Sequence, residues 1–231
     1  MTKITLTRQR GFTLLEMSMA LIVVALIISA VTLGSNLQRN TVYQHMATSF
    51  VRGWQLAFLS HVDRVGVAPG DNQTTPTGKV NGADDSELCS LDLRNAMYAA
   101  GVTMPQGRSE GFETHYGYLD SNGNPQDVSA CFENVAWSVP GSSAGSYVVQ
   151  RKNVLVLEGL TPDLARMLDS LVDGNADARF GSFREESQAA LTTTSSEEWS
   201  LGSGVAYGSA TATNLDESQI ATLTAYYLMD R

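Results

Sequence analysis

The sequence predicts an α+β chain: a long N-terminal helix packed on a mostly antiparallel sheet, with two short helices set between strands. Three observations carry that expectation. An apolar run from Met17 to Leu33 is followed by Val42, Met46, Phe50, Trp54 and Phe58, a four-residue spacing that keeps a slowly drifting stripe on one helix face. Beyond Pro105 the pattern changes to β-branched and aromatic runs parted by turn residues. Capping and stop signals mark two shorter helices near residues 86–101 and 161–174.

The first helix is expected from about Phe12 to Val62. It is apolar all round over 12–34 and amphipathic over 35–62, where Arg39, Gln44 and Arg52 lie off the stripe. Two helices broken at Gly34 are the alternative. Residues 63–231 read as one globular head. Gly66 to Asp85, rich in Gly, Pro, Asn, Asp and Thr, reads as a surface connection. Ser86 is the expected N-cap of a helix through Leu88, Leu91, Ala96 and Met97, with Cys89 in its first turn and Gly101 at its end. A strand over Phe112–Leu119, a hairpin turn at Asn122-Gly123 and a return over Val128–Val139 follow. Tyr147–Gln150 and Val154–Leu157 form either a further hairpin or one bent strand. Thr161-Pro162-Asp163 has the make-up of a helix start: a capping hydroxyl, a first-turn proline and an acid at the positive end of the dipole. Leu164, Met167, Leu168, Leu171 and Val172 give that helix its apolar face, and Gly174 ends it. Phe180 and Phe183 suggest a short strand, Leu191–Ser200 a loop or edge, and Ile220–Met229 a C-terminal strand.

The N-terminal segment carries the chemistry. Basic Arg8 and Arg10 precede Gly11-Phe12-Thr13-Leu14-Leu15-Glu16, and from Met17 to Leu33 only Ser18, Ser29 and Thr32 are polar. Crossing a bilayer takes about 20 mostly apolar residues. A carboxylate at the end of such a run costs a few kcal/mol in lipid on insertion scales, about the cost of any charge there. An opposite charge a few ångströms away offsets that cost, far more strongly than it would in water. Such a charge has to come from a partner.

Arg-Gly followed by Phe-Thr-Leu-Leu-Glu and about 17 apolar residues resembles the class III leader of type IV pilins and type II secretion pseudopilins, over roughly residues 8–35. The resemblance implies a pilin-like fold, a helical spine on an antiparallel β-sheet head. It implies a leader peptide over residues 1–11, cut between Gly11 and Phe12 by a membrane-embedded prepilin peptidase, and N-methylation of Phe12. It implies that Glu16 offsets the Phe12 ammonium of a neighbouring subunit during assembly. The partners implied are further copies of the chain and other pilins, the peptidase, an inner-membrane assembly platform and the membrane itself. Filaments of this kind serve cell adhesion or protein secretion. A cleavable secretory signal fits less well, because its apolar region is about 7–15 residues long and Ile28-Ser29-Ala30 is a poor cleavage site. An ordinary signal anchor orients the same way, with Lys3, Arg8 and Arg10 cytoplasmic, but needs neither Gly11 nor Glu16.

Composition narrows the class. Twenty-four acidic residues stand against 15 basic ones, net −9. Removal of residues 1–11 leaves 12 basic residues and a net charge of −12. So acidic a head does not suit nucleic-acid binding. Cys89 and Cys131, on the expected periplasmic side, suggest one disulfide; two separate buried thiols are the alternative.

Candidate sites in the head are few. Gly141-Ser142-Ser143-Ala144-Gly145 fits G-x-S-x-G in letters, but Pro140 precedes it and a strand-like run follows, where a nucleophile elbow needs a helix. His45, His61 and His115 are far apart in sequence and none pairs with a nucleophile by pattern. No catalytic residue, resident metal or cofactor is expected, and the chain reads as a non-enzyme. Asp173-Gly174-Asn175-Ala176-Asp177 and Asp120-Ser121-Asn122-Gly123-Asn124 place side-chain oxygens at alternate positions, as calcium prefers. Neither is an EF-hand, and Asx-turn chemistry explains both without a metal. Asp173, Asn175 and Asp177 are the better calcium candidates. The expected role is a major or minor pilin in a type IV pilus-like filament. A type II secretion pseudopilin is the runner-up, and a signal-anchored periplasmic enzyme or sensor the competitor from another class. The expected location is the inner membrane with a periplasmic head, then an extracellular pilus or a periplasmic pseudopilus.

Overall fold

The computed structural model describes residues 13–200 and 222–229, and of residues 30–37 the backbone alone. The chain divides into two compact units, Met1–Thr41 and Val42–Arg231. Helical backbone runs over α1 (Leu14–His45), a π-helical segment (Met46–Val51) and α2 (Arg52–Val65). It continues through Gly34, so the two-helix alternative fails. Gly66, at φ 86°, ends α2 in the left-handed conformation that glycine tolerates best.

The π segment was not foreseen, although its cause is in the stripe. On a helix of 3.6 residues per turn, a four-residue step overshoots by about 40°. A wider i→i+5 turn takes back part of that drift. Met46, Phe50, Trp54 and Phe58 thus all stay buried on one face. Ser49 and Thr48 donate back to the carbonyls of His45 and Gln44, at 2.5 and 2.9 Å, a bonding that loosens the ladder where it widens.

The head's sheet is five-stranded and antiparallel, in the order β1-β2-β3-β5-β4. Its strands are β1 (His115–Leu119), β2 (Pro125–Pro140), β3 (Tyr147–Leu160), β4 (Phe183–Glu185) and β5 (Leu223–Leu228). The two runs left open between a hairpin and one strand are a single strand, β3. β1 begins three residues later than expected, and β4 takes in Phe183 but not Phe180. Ile220, the expected start of the last strand, lies outside the described residues.

Alternation on β2 builds two cores. Val128, Ala130 and Phe132 face the helix: Trp54 and Phe58 meet Phe132 edge-on at 5.9 and 5.1 Å, and Tyr43 meets Tyr118 at 5.9 Å. Cys131, Val135 and Trp137 join Val154, Val156, Ala189 and Tyr226 in a smaller cluster. Cys89 and Cys131 are disulfide-bonded, closing a separation of 42 residues.

Two short helices complete the head, α3 (Ser90–Ala99) and α4 (Pro162–Val172). Helix α3 starts later than expected, with Cys89 and not Ser86 at its N-cap. Leu88 is drawn instead into a bridge with Phe132, and Ser86 accepts from Asn81. Helix α4 follows its signature, with Pro162 at its first position and Gly174, φ 80°, just past its end. The Thr161 hydroxyl makes no cap, however, and is buried without a partner. Its backbone N–H donates to the Tyr118 hydroxyl instead.

Candidate functional site at the helix N-terminus

Thr13 and Glu16 form a reciprocal pair at the start of α1. The Glu16 N–H donates to Thr13 Oγ1 at 3.2 Å, and the Thr13 N–H donates to Glu16 Oε2 at 3.3 Å. The Thr13 hydroxyl also donates to Glu16 Oε2, at 3.4 Å. This is a capping box, which satisfies two otherwise unpaired backbone donors and sets a carboxylate at the positive end of the helix dipole. The Thr13-x-x-Glu16 spacing is its signal in the sequence. Glu16 thus has a role inside its own chain, and its carboxylate accepts from the first described N–H of the chain. Gly11 and Phe12 themselves lie outside the described residues.

On both sides of Glu16, every large apolar side chain from Leu14 to Ile28 is between 51 and 92% exposed. Ser18 and Ser29 donate to carbonyls of their own helix, at 2.8 and 2.9 Å, so the run presents little unpaired polarity. Among the described residues no helix is long and apolar enough to cross a membrane. The described side chains of the run, Leu14 to Ser29, cover about 24 Å of helix, against a hydrocarbon core of roughly 30 Å.

Residues 6–32 match the family model of the prokaryotic N-terminal methylation motif. This motif is the class III leader, the hallmark of type IV pilins and pseudopilins. That leader implies prepilin peptidase processing and assembly with other pilins. No curated protein and no solved structure matches the chain. The α+β arrangement, an N-terminal helix and a five-stranded antiparallel sheet, is pilin-like.

The other candidate residues have structural partners. In the Asp173–Asp177 loop, Asp173 accepts from the N–H groups of Ser182 and Phe183 at 2.8 and 3.0 Å and from the Ser182 hydroxyl at 2.5 Å. Asp177 accepts from the N–H groups of Arg179 and Phe180 at 2.9 and 3.2 Å, and Asn175 is exposed. These carboxylates tie the loop to its own backbone. Asp120 does the same for the hairpin turn, holding the N–H groups of Asn122 and Asn124 at 2.8 and 2.9 Å. Those hydrogen bonds keep its carboxyl below the ordinary range against the opposing effect of burial.

Among the described residues, the one set of three close metal-type ligands is Glu87, Cys89 and Cys131, and the disulfide occupies both of its sulfurs. Gly141–Gly145 lies in the β2–β3 hairpin connection, where the Gly141 N–H donates to Ser146 O at 2.8 Å and a strand follows. His115 pairs with Asp127 at 2.8 Å, His61 Nδ1 lies 3.3 Å from Val67 O, and His45 Nδ1 lies 3.1 Å from both Tyr116 and Ser49. The Ser49 hydroxyl donates to its own helix, so the pair is part of the π segment's bonding.

Sequence reasoning missed two buried groups. Trp199, 2% exposed in a segment with no regular structure, donates to Asp169 at 2.7 Å and packs on Phe183. Arg184 lies 4.2 Å over the Trp137 ring and donates to the carbonyls of Ser138 and Ala189.

Proposed function

We propose that the chain is a structural subunit of a type IV pilus-like filament, made as a prepilin and assembled through its N-terminal helix. The observation that carries this reading is the exposed apolar surface from Leu14 to Ile28, which holds a single carboxylate at its start and falls within a processing motif. Such a surface exceeds what a soluble monomer leaves open and asks for a cover. Lipid of the inner membrane supplies it before assembly, when the head is periplasmic, and neighbouring helices supply it in the filament. The role is mechanical and needs no catalytic residue.

Cleavage after Gly11 creates a Phe12 ammonium, the one positive charge then present at the head of an apolar run. In a low-dielectric core this ammonium and a neighbour's Glu16 are costly apart and tolerable together, which sets axial register. In the free chain the Glu16 carboxylate is held by its capping box, so an unassembled subunit does not carry it unsatisfied. The assembly platform is the partner that would exchange one arrangement for the other.

Two variants test the proposal. Gly11→Arg is expected to leave the precursor uncut and filaments free of the chain. Glu16→Ala is expected to be cut but poorly incorporated. Normal incorporation of either variant contradicts the proposal.

A further inference from the structure

Among the described residues, the β3–β5 pairing runs from Leu160 to Val154 on β3. Leu228 pairs with Val154, and the Met229 N–H donates to Asn153 O at 2.9 Å. A cavity of about 430 Å³ occupies that end of the sheet. Phe58 and Val62 of α2 and Met229 supply its apolar surface, and the connection after α2 supplies a wall through Val67, Thr77 and Gly78. Lys79, Arg151 and Lys152 also line it, three cations in a chain of net charge −9.

The wall is built before any ligand arrives. Asp71 accepts from the N–H groups of Thr77 and Gly78 at 2.9 and 2.8 Å and from the Thr77 hydroxyl at 3.0 Å. Asn153 clamps the same segment to the sheet, donating to Gly78 O at 2.9 Å and accepting from Val80 N at 3.0 Å. Asn134, also on the lining, donates to Asn153 at 2.7 Å and keeps a buried Oδ1 with no donor. A pre-formed concavity of 300–1,000 Å³, apolar with a few convergent polar groups, is the usual make-up of a small-molecule site.

Charge decides the kind of molecule. Lys79 pairs with Asp84 at 2.8 Å and Arg151 with Asp85 at 2.6 Å, but both carboxylates lie outside the lining. These pairs are part-exposed, and such pairs are worth little and are readily shared. We propose that this cavity binds a small amphipathic organic anion. Its apolar body rests on Phe58, Val62 and Met229, and its anionic group on the Lys79, Arg151 and Lys152 side.

The test uses the full chain in a nonionic detergent, titrated with 2-naphthoate and, separately, with neutral 2-naphthamide, and read by amide-resolved NMR. Saturable shifts at Gly78, Lys152, Asn153 and Met229 are expected for naphthoate, with affinity about tenfold weaker for the amide. The Arg151→Gln/Lys152→Gln double variant is expected to bind naphthoate about tenfold more weakly, with its other amide signals unmoved. Equal affinity for the two probes, full affinity in the variant, or shifts confined to Leu14–Ile28 would overturn the proposal.

Discussion

Asp169 makes the head's stability depend on pH in a direction opposite to that of an ordinary paired carboxylate. It is fully buried on α4, and its Oδ2 accepts from Trp199 Nε1 and from the Asp177 N–H, each at 2.7 Å. Burial pushes its carboxyl up to about 7; the two hydrogen bonds oppose the rise, and the charge of Asp173 adds to it. The folded chain therefore keeps a proton that the unfolded chain releases near pH 4. Stability falls as pH rises from about 4 to about 7, by up to roughly 1.4 kcal/mol per pH unit from this group, and levels off above. Asp169→Asn mimics the neutral form, because its amide oxygen can accept both donors. The variant should match the wild type near pH 4 and exceed it by on the order of 2–4 kcal/mol at pH 8. Urea unfolding of the full chain in nonionic detergent, followed by tryptophan fluorescence at pH 4, 5, 6, 7 and 8, measures this. Glu133, raised to about 7 by burial and by Glu87 and Asp85, adds a slope of the same sign to both proteins, so the difference between them isolates Asp169. Parallel curves for the two proteins would refute the reasoning.

Three further outcomes are expected. Phe132→Ala removes the ring on which Trp54 and Phe58 both pack and should cost about 3–5 kcal/mol in urea unfolding. Loss of the disulfide in a Cys89→Ser/Cys131→Ser variant releases a 42-residue separation and should cost about 4 kcal/mol on the chain-entropy estimate, seen as a lower urea midpoint. Gly53→Ala places a Cβ 2.6 Å from the Pro105 Cβ, and the resulting overpacking should cost about 1–3 kcal/mol, read as a lower melting temperature.

The fold was legible wherever local chemistry sets it. Asn122-Gly123 turns the first hairpin, Pro162 and Gly174 bound α4, and the Val42–Phe58 stripe gives the buried face of the helix. Expectation went astray where a distant residue decides. Ser86 looked like a cap, but Phe132 claims Leu88 as a bridge partner and moves the helix start to Ser90. Trp199 has no periodic neighbours, and the segment is held by distant partners, the buried carboxylate of Asp169 30 residues earlier and the Phe183 ring. At the candidate site the motif was readable and the capping box was equally so, since Thr13 and Glu16 stand at the required spacing. The cavity beside Arg151 was not readable, because its lining is brought together from α2, the connection after it, β2, β3 and Met229.

Mass spectrometry of the amino terminus, on chain recovered from sheared surface filaments, tests the central claim most directly. Assembly as a filament subunit predicts a chain that begins at an N-methylated Phe12. A chain missing from the filaments, or one that keeps Met1 or is cut away from Gly11, would contradict it.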